Sequence, residues 1–576
     1  MRIIPLAVAF LTVAAPAIAQ TVPNIPQTGR TSAGAPLATK RDLEGVFGGK
    51  ADYSALQAEV ARAAAAEAGK VSAANGQLTN PTITGAIMSN PAITGGAING
   101  GAANGTDMSQ SNVMASGATR QRSAADRASD VRTPADFLAS GQTEASLRGE
   151  GMDAAPAISA GLAKGNVFLP CGSYRIDTPI VFPTTPAMLD GAAPGCVTLA
   201  VTYPIGDVVS SIQSSRSEIS NIRFVGRVTR TNGAILRLKG TYGFTVRNVS
   251  FDGSRFQDVV LEGTNTTKII DSDFRPGTGD ACITLSGTGA QAVDTFVSRT
   301  NLAGCGFGIY MNNASGVYLD NMDILASRTN AVLIGPVLSQ GQNVNAVRAN
   351  NILADTTVGG HGWRITSDAP VTELHLSNSW ASGSGQQADG TFPTAYAGFY
   401  ADNPNLDGAI LTGFYGHRNG GQAIDIEAGQ HIKLVSPMAC MNSVTAANTF
   451  DGITIGAAAS FVTINDPTSG ECGFMKKVGF VNQQRYGLFV NNTSNQFISL
   501  IGGQYMANVT GTVGVNIKDP NLTMAGNAAA CPSLTGVGAP IVPALPCATY
   551  RRTDGGNGST FYVKESGIDG LGWVAK

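Results

Sequence analysis

From about Ser217 onward, apolar and polar positions alternate with period two in short runs, and the runs recur. The eight residues Phe244–Phe251 return as Thr267–Phe274, Thr295–Leu302, Val317–Ile324 and Asn345–Ile352. The third position of each copy is apolar (Val246, Ile269, Val297, Leu319, Val347), and so is the eighth (Phe251, Phe274, Leu302, Ile324, Ile352). The seventh is small or Asx: Ser250, Asp273, Asn301, Asp323, Asn351 and later Asn378. A turn rich in Gly and Asn follows each copy, then a second short alternating strand. Its apolar pairs read Val259/Leu261, Ile283/Leu285, Ile309/Met311, Val332/Ile334, Trp363/Ile365, Phe399/Ala401, Ile424/Ile426, Ile453/Ile455 and Leu488/Val490. The repeat is roughly 22 to 37 residues long, with its variation in the turns.

One such unit cannot hide its apolar face alone, so units must stack. Stacking at about 4.8 Å builds parallel sheets around one continuous core. The period-two strands exclude helical repeats. The pattern predicts an all-β chain: a single-stranded right-handed parallel β-helix of ten or more coils. Trp363 should then face the core. The Asx column reads as a hydrogen-bonded ladder at a coil corner, which makes Asp273 and Asp323 structural.

Composition agrees. The 576 residues include 71 Gly, and only 14% are charged, against the roughly 25% usual for globular chains. A formal charge of -2 leaves no basic surface for nucleic acid. Residues 1–20 read as a secretory signal: Arg2, an apolar run from Ile3 to Ala15, then the small-x-small site Ala17-Ile18-Ala19. No later run is long enough to span a membrane, so a secreted protein, extracellular or periplasmic, is expected. Residues 21–135 read as an extended stalk or attachment region. It has a short docking helix (Tyr53, Leu56, Val60, Ala63) and two NPxITG copies, Asn80–Gly85 and Asn90–Gly95. The solenoid is assigned to 136–520 and a tail to 521–576. Eight Cys fall as sequence neighbours, Cys171/Cys196, Cys282/Cys305, Cys440/Cys472 and Cys531/Cys547. Spacing does not fix their connectivity, although the second and third pairs lie on successive rungs and suit staples. None forms a CxxC, so a zinc site is not expected.

Two segments carry a family likeness. Residues 119–182, including Asn166-Val-Phe-Leu-Pro-Cys-Gly-Ser-Tyr174, resemble the opening of the pectate-lyase-like β-helix superfamily, in which a helix (here about Asp153 to Ala163) caps the solenoid. The closing stretch Tyr550–Gly567 with Gly572–Ala575 resembles the hairpin-like C-terminal tag of phage and prophage tailspike-like proteins. The resemblance implies a carbohydrate-acting β-helix, often a homotrimer in the tailspike group. The polygalacturonase site of that superfamily is not matched. Gly279-Asp280-Ala281 keeps one carboxylate of two, and Gly306-Phe307-Gly308 has Phe in place of His. Gly360-His361-Gly362 has the His but lacks the carboxylates one coil earlier.

Candidate chemistry follows from alternation. With Ile424 and Ile426 inward, Asp425 and Glu427 face out, and so do Tyr400 and Asp402 before them, and Arg364 before those. Asp402 and Glu427 are then cross-strand neighbours about 5 Å apart, and Asp425 and Glu427 are about 6.5 Å apart along the strand. Carboxyl pairs at such separations suit glycoside cleavage, with crowding raising one pKa. Asp402, Asp425 and Glu427 are therefore the catalytic candidates, with Asp402 and Glu427 as the acid/base pair. Arg364 would clamp an acidic sugar, Tyr400 or Tyr310 would stack on it, and His417 with Arg418 stands at the corner before the Asp425 strand. The loop from Ser382 to Ala395 should overhang the patch, and His361 reads as a turn residue. The reading is a polysaccharide hydrolase or lyase acting on an acidic or deoxy-sugar polymer, with a non-catalytic glycan-binding adhesin as the alternative. No cofactor is required for hydrolysis. A lyase would call for calcium, whose oxygen ligands the same carboxylates could supply.

Overall fold

The computed structural model describes residues 132–576, except 254–255, 276–279, 288–289, 474–480, 493–496, 518–521, 526–532 and the single residues 543, 545, 547, 557 and 568. It also describes two strand pairs of the N-terminal unit. These are antiparallel, Ala73–Ala74 with Gln77–Leu78 and Asn112–Val113 with Arg122–Ser123. The signal segment, the docking helix and the NPxITG copies lie outside the described residues.

The second unit is a parallel β-helix of about thirteen coils. Each coil contributes one strand to each of three sheets. Sheet 1 runs from Ile180–Phe182 to Gly511–Ile517 and sheet 2 from Val167–Leu169 to Leu522–Ala525, with sheet 3 from Gly149–Asp153 to Gln504–Met506. Strands pair in parallel with those one coil before and after because their backbones have no other partner at that spacing. The inward residues form one core. The nine apolar pairs of the second repeat strand all lie in register on sheet 1, from Val259↔Ile283 to Ile453↔Leu488. Trp363 is fully buried, as expected. On sheet 3, Phe224, Phe251 and Phe274 stack in a file with centroids 5.5 and 4.5 Å apart.

The helix Ala155–Leu162 covers the N-terminal end of this core, with Ala155, Ala157, Ile158 and Leu162 buried. Beyond the last coil, a four-stranded sheet is made from Ser533–Gly536, Thr549–Arg552, Phe561–Lys564 and Trp573–Ala575.

The corner between sheets 2 and 3 differs from the expected Asx column. A single residue per coil takes left-handed φ there: Asn221, Asn248, Asp271, Arg299, Asn321, Asn351 and Asn378, all between 48° and 58°. Asn tolerates this region because its short amide bonds locally. The ladder is real: Asn248 Nδ2 donates to Asn221 Oδ1 at 2.6 Å and Asn351 to Asn321 at 2.7 Å. Ser250, Asp273, Asn301 and Asp323, however, start the sheet 3 strands, and the register partner of Asp323 is Leu353 rather than Asn351. The copy at 345–352 is thus displaced by two residues.

Three disulfides join successive coils: Cys171–Cys196, Cys282–Cys305 and Cys440–Cys472. Cys531 and Cys547 lie outside the described residues. The Cys282–Cys305 link closes a loop of 23 residues. Replacing both by Ala should lower unfolding stability by about 3 kcal/mol, because the open chain regains that loop's entropy. Chemical denaturation of the double variant measures it, and an unchanged midpoint would deny the disulfide that role.

Candidate active site

Sheet 1 presents one outward row across successive coils: Thr284, Tyr310, Leu333, Arg364, Tyr400, Asp425 and Thr454. The alternation that buries Trp363, Phe399 and Ile424 turns their successors Arg364, Tyr400 and Asp425 outward. Arg364 Nη2 lies 3.7 Å from Asp402 Oδ2, and its guanidinium is 5.9 Å from the Tyr400 ring centroid. Against the same Tyr400 ring, His361 stacks at 4.4 Å with planes 12° apart.

Although it faces away from the core, Asp425 is only 6% exposed. Its carboxyl shares a hydrogen bond with that of Glu427, so the two side chains converge across the intervening residue. Burial raises the pKa of Asp425 well above the usual aspartate range, and the neighbouring charges of Glu427, Asp451 and Asp402 raise it further. Asp425 is therefore favoured in its protonated form. Glu427 is the more exposed member, half-buried at the surface.

A local irregularity makes room for it. Ile426 pairs with Ile455 but Ala428 pairs with Ala458, so the following strand bulges opposite Glu427. Gly456 lies in that bulge, where a Cβ would come 2.3 Å from Glu427 Oε2. Gly456 lets Glu427 lie across the next coil, and its part in the patch was not anticipated from sequence. The signal was legible in principle: Ile455-Gly456-Ala457-Ala458 interrupts the polar positions of an otherwise alternating strand.

The patch also carries unspent hydrogen-bonding capacity. Asp425 Oδ1, Asp402 Oδ1, Arg364 Nε and Thr454 Oγ1 are buried without a partner. Buried polar atoms are normally paired, so these four leave hydrogen-bonding capacity on this face.

His361 has a role beyond that of a turn. Its Nδ1 accepts the Ala397 N–H at 3.0 Å, and Tyr396 packs edge-on against its ring at 5.3 Å. The long loop after Ser382 thus reaches the patch through Tyr396 and Ala397. Burial, with Arg364 nearby, lowers the His361 pKa to about 3, so it is neutral with its proton on Nε2. Burial raises the Tyr400 pKa to about 12, assisted by the charges of Asp402, Asp425 and Glu427. Neither ring offers a base at neutral pH.

The structure thus brings Arg364, Tyr400, Asp402, Asp425 and Glu427 together. Tyr310 is on the same row two coils away, about 10 Å at strand spacing. His417 is not in this group: it belongs to the sheet 3 strand Tyr415–His417, with its pKa lowered to about 4 by burial. Asp280 sits at an exposed corner five coils from Asp425.

Calcium takes six to eight oxygens, and the carboxyls on this face are those of Asp402, Asp425 and Glu427. Asp425 is hydrogen-bonded to Glu427, and Asp402 faces Arg364. Among the described residues, the group of acidic and sulfur side chains close enough for a metal is Asp258 with Cys282 and Cys305, whose sulfurs are joined in a disulfide.

Asp425 also makes a stability prediction. A carboxyl whose pKa is raised by folding stabilises the fold fully below the ordinary aspartate range, and that stability is lost as pH rises through the raised value. Asp425→Asn removes the ionisation and can still donate to Glu427. Its melting temperature should match wild type near pH 3 and exceed it increasingly toward pH 8. A variant less stable at pH 8 than wild type would contradict the buried protonated carboxyl.

With this geometry in hand, comparison places the fold. Residues 233–403 match the family model described as right handed beta helix region. No curated protein sequence matches the chain. Gene product 12 of bacteriophage phi29, in its pre-mature form, superposes with a TM-score of 0.52 at 11% identity, over 71% of this chain and 59% of that one. Tailspike protein 3 of bacteriophage CBA120 gives 0.49 at 14% identity, over 83% and 75%. The A-module of the Azotobacter vinelandii mannuronan C-5 epimerase AlgE4 gives 0.44 at 14% identity, over 69% and 100%. At 11% identity the likeness to gene product 12 is one of fold. The described body is a right-handed parallel β-helix. Among the described residues no helix is long and apolar enough to cross a membrane.

Proposed function

We propose that the chain is an exported glycoside hydrolase acting on an acidic polysaccharide, with its site on the outer face of sheet 1. The observation that carries the reading is the hydrogen-bonded carboxyl pair of Asp425 and Glu427, in which burial favours a proton, beside the Arg364–Asp402 pair. Glu427, the more exposed member, donates that proton to the glycosidic oxygen as the C–O bond breaks. Asp402, which faces Arg364, takes the proton of the attacking water or attacks the anomeric carbon itself. Asp425 stands behind Glu427 and is hydrogen-bonded to it, its own pKa raised by burial. Tyr400 offers a ring face to the sugar, and Arg364 meets its carboxylate. The mechanism uses side chains and water alone.

Elimination is less well supported, because the two rings that a lyase would recruit as base, Tyr400 and His361, keep their protons or lack a free lone pair. Disulfides form in oxidising compartments, which favours export. A homotrimer is the assembly proposed from the tailspike-like ends, and light scattering tests it.

The test of the activity is a panel of acidic polysaccharides, following reducing ends together with ultraviolet absorbance of unsaturated uronates. Reducing ends without absorbance are expected. Both signals together would make it a lyase, and retention without either would make it a binding protein. Proton NMR of the first anomer formed distinguishes the two roles of Asp402.

A further inference from the structure

Sheet 3 carries a second cluster that the carboxylate patch does not use. Asp323, Leu353, Trp380 and Tyr415 follow one another on one outward row, and Asp355, Ser382 and His417 on the next. Tyr415 and His417 stack at 4.7 Å, and Trp380 stands edge-on to both at 6.2 and 5.3 Å. All three rings are half-buried rather than covered. Outward aromatic residues on a solvated sheet face are unusual, since such positions are polar by default.

The polar groups among these rings are incompletely used. Trp380 Nε1, His417 Nδ1 and Asp323 Oδ1 are buried and have no partner. Asp355 accepts from the Ser382 hydroxyl and from Thr356 Oγ1 at 3.2 Å. Rings with spare donors and acceptors between them match a pyranose, which has C–H faces and a rim of hydroxyls. The charge balance points to the kind of sugar. Asp355 and Arg418 are of opposite sign and close enough to act on one another, and burial keeps His417 neutral by lowering its pKa to about 4.

We propose that the outer face of sheet 3 around Trp380 and Tyr415 is a second glycan-binding site, distinct from the carboxylate patch, that takes an uncharged saccharide. It stands independently of the hydrolase reading. A corner at 418–423 and the loop after Ser382 separate it from Asp425, so a polymer with neutral and acidic segments could occupy both.

The test uses the full chain on an array of immobilised neutral oligosaccharides (glucans, mannans, galactans, chito-oligosaccharides) beside uronate oligosaccharides. Wild type and Glu427→Gln should retain the same neutral glycan, and Trp380→Ala should weaken it about tenfold, with Trp380→Phe in between. A second measurement leaves the site intact. The chain has three Trp, of which Trp363 is fully buried, so in a Trp573→Phe background acrylamide quenching reads Trp380. The retained glycan should protect it. Absence of any retained neutral glycan, retention indifferent to Trp380→Ala, or a glycan that leaves Trp380 fully quenchable would overturn the proposal. Loss with Glu427→Gln alone would move the binding to sheet 1 and overturn it equally.

Discussion

Glu427→Gln is expected to slow cleavage of the best substrate in the panel by about 10²- to 10⁴-fold in kcat, with KM little changed. Gln is isosteric and can still donate to Asp425, so the bulge and the neighbouring coils need not move. What it cannot do is release a proton to a leaving oxygen. The loss should therefore appear in the chemical step, and a substrate with an activated leaving group that needs no acid should recover most of the rate. Wild-type activity should fall on the alkaline side as the Asp425–Glu427 pair loses its proton. Asp402→Asn should be impaired for both kinds of substrate, since the base or nucleophile is needed whatever the leaving group. If Glu427→Gln and Asp402→Asn both cleave at wild-type rate, the site lies elsewhere on the solenoid.

Trp363→Ala is expected to destabilise the β-helix by about 3–5 kcal/mol, among the largest effects of any single substitution in the core. Trp363 is the largest of the fully buried side chains. It pairs with Val332 on one side and Phe399 on the other, so its removal opens a cavity between three coils. Each coil touches only its neighbours, and the gap cannot be closed from a distance. Trp363→Phe should cost much less, because the indole N–H has no partner in the core and its loss removes an unsatisfied donor. Thermal melts of the two variants decide the point; equal losses would mean that the indole N–H, rather than ring volume, is what matters. Arg364 follows directly on this strand, so Trp363→Ala should also lower cleavage before the fold is lost.

The sequence was most legible where it alternates. Period two placed Trp363, Phe399 and Ile424 inward and Arg364, Tyr400 and Asp425 outward, and all nine pairs of the sheet 1 strand stack in the expected register. The same periodicity hid the error in the other strand. A slip of two residues leaves the apolar set on the same face, so the copy at 345–352 looked as good as the true partner of 317–324, which lies two residues further on. Only the long paired strands Ala314–Leu325 and Val344–Asp355 fix that register.

The chemistry divides along the same line. Residue order by itself determined that this chain is a stack of coils and that Arg364, Tyr400, Asp402, Asp425 and Glu427 crowd one outer face, because strand alternation is local and the repeat is regular. It could not determine that Asp425, though outward, is buried and hydrogen-bonded to Glu427. That depends on Gly456 and the bulge in the following coil, on Tyr400 in the preceding one, and on a long loop reaching His361. Nor could it separate His417 from the carboxylates, since a corner of a few residues carries the chain from sheet 3 to sheet 1. Burial and charge coupling come from neighbours tens of residues away in sequence, so the tertiary structure alone decides them.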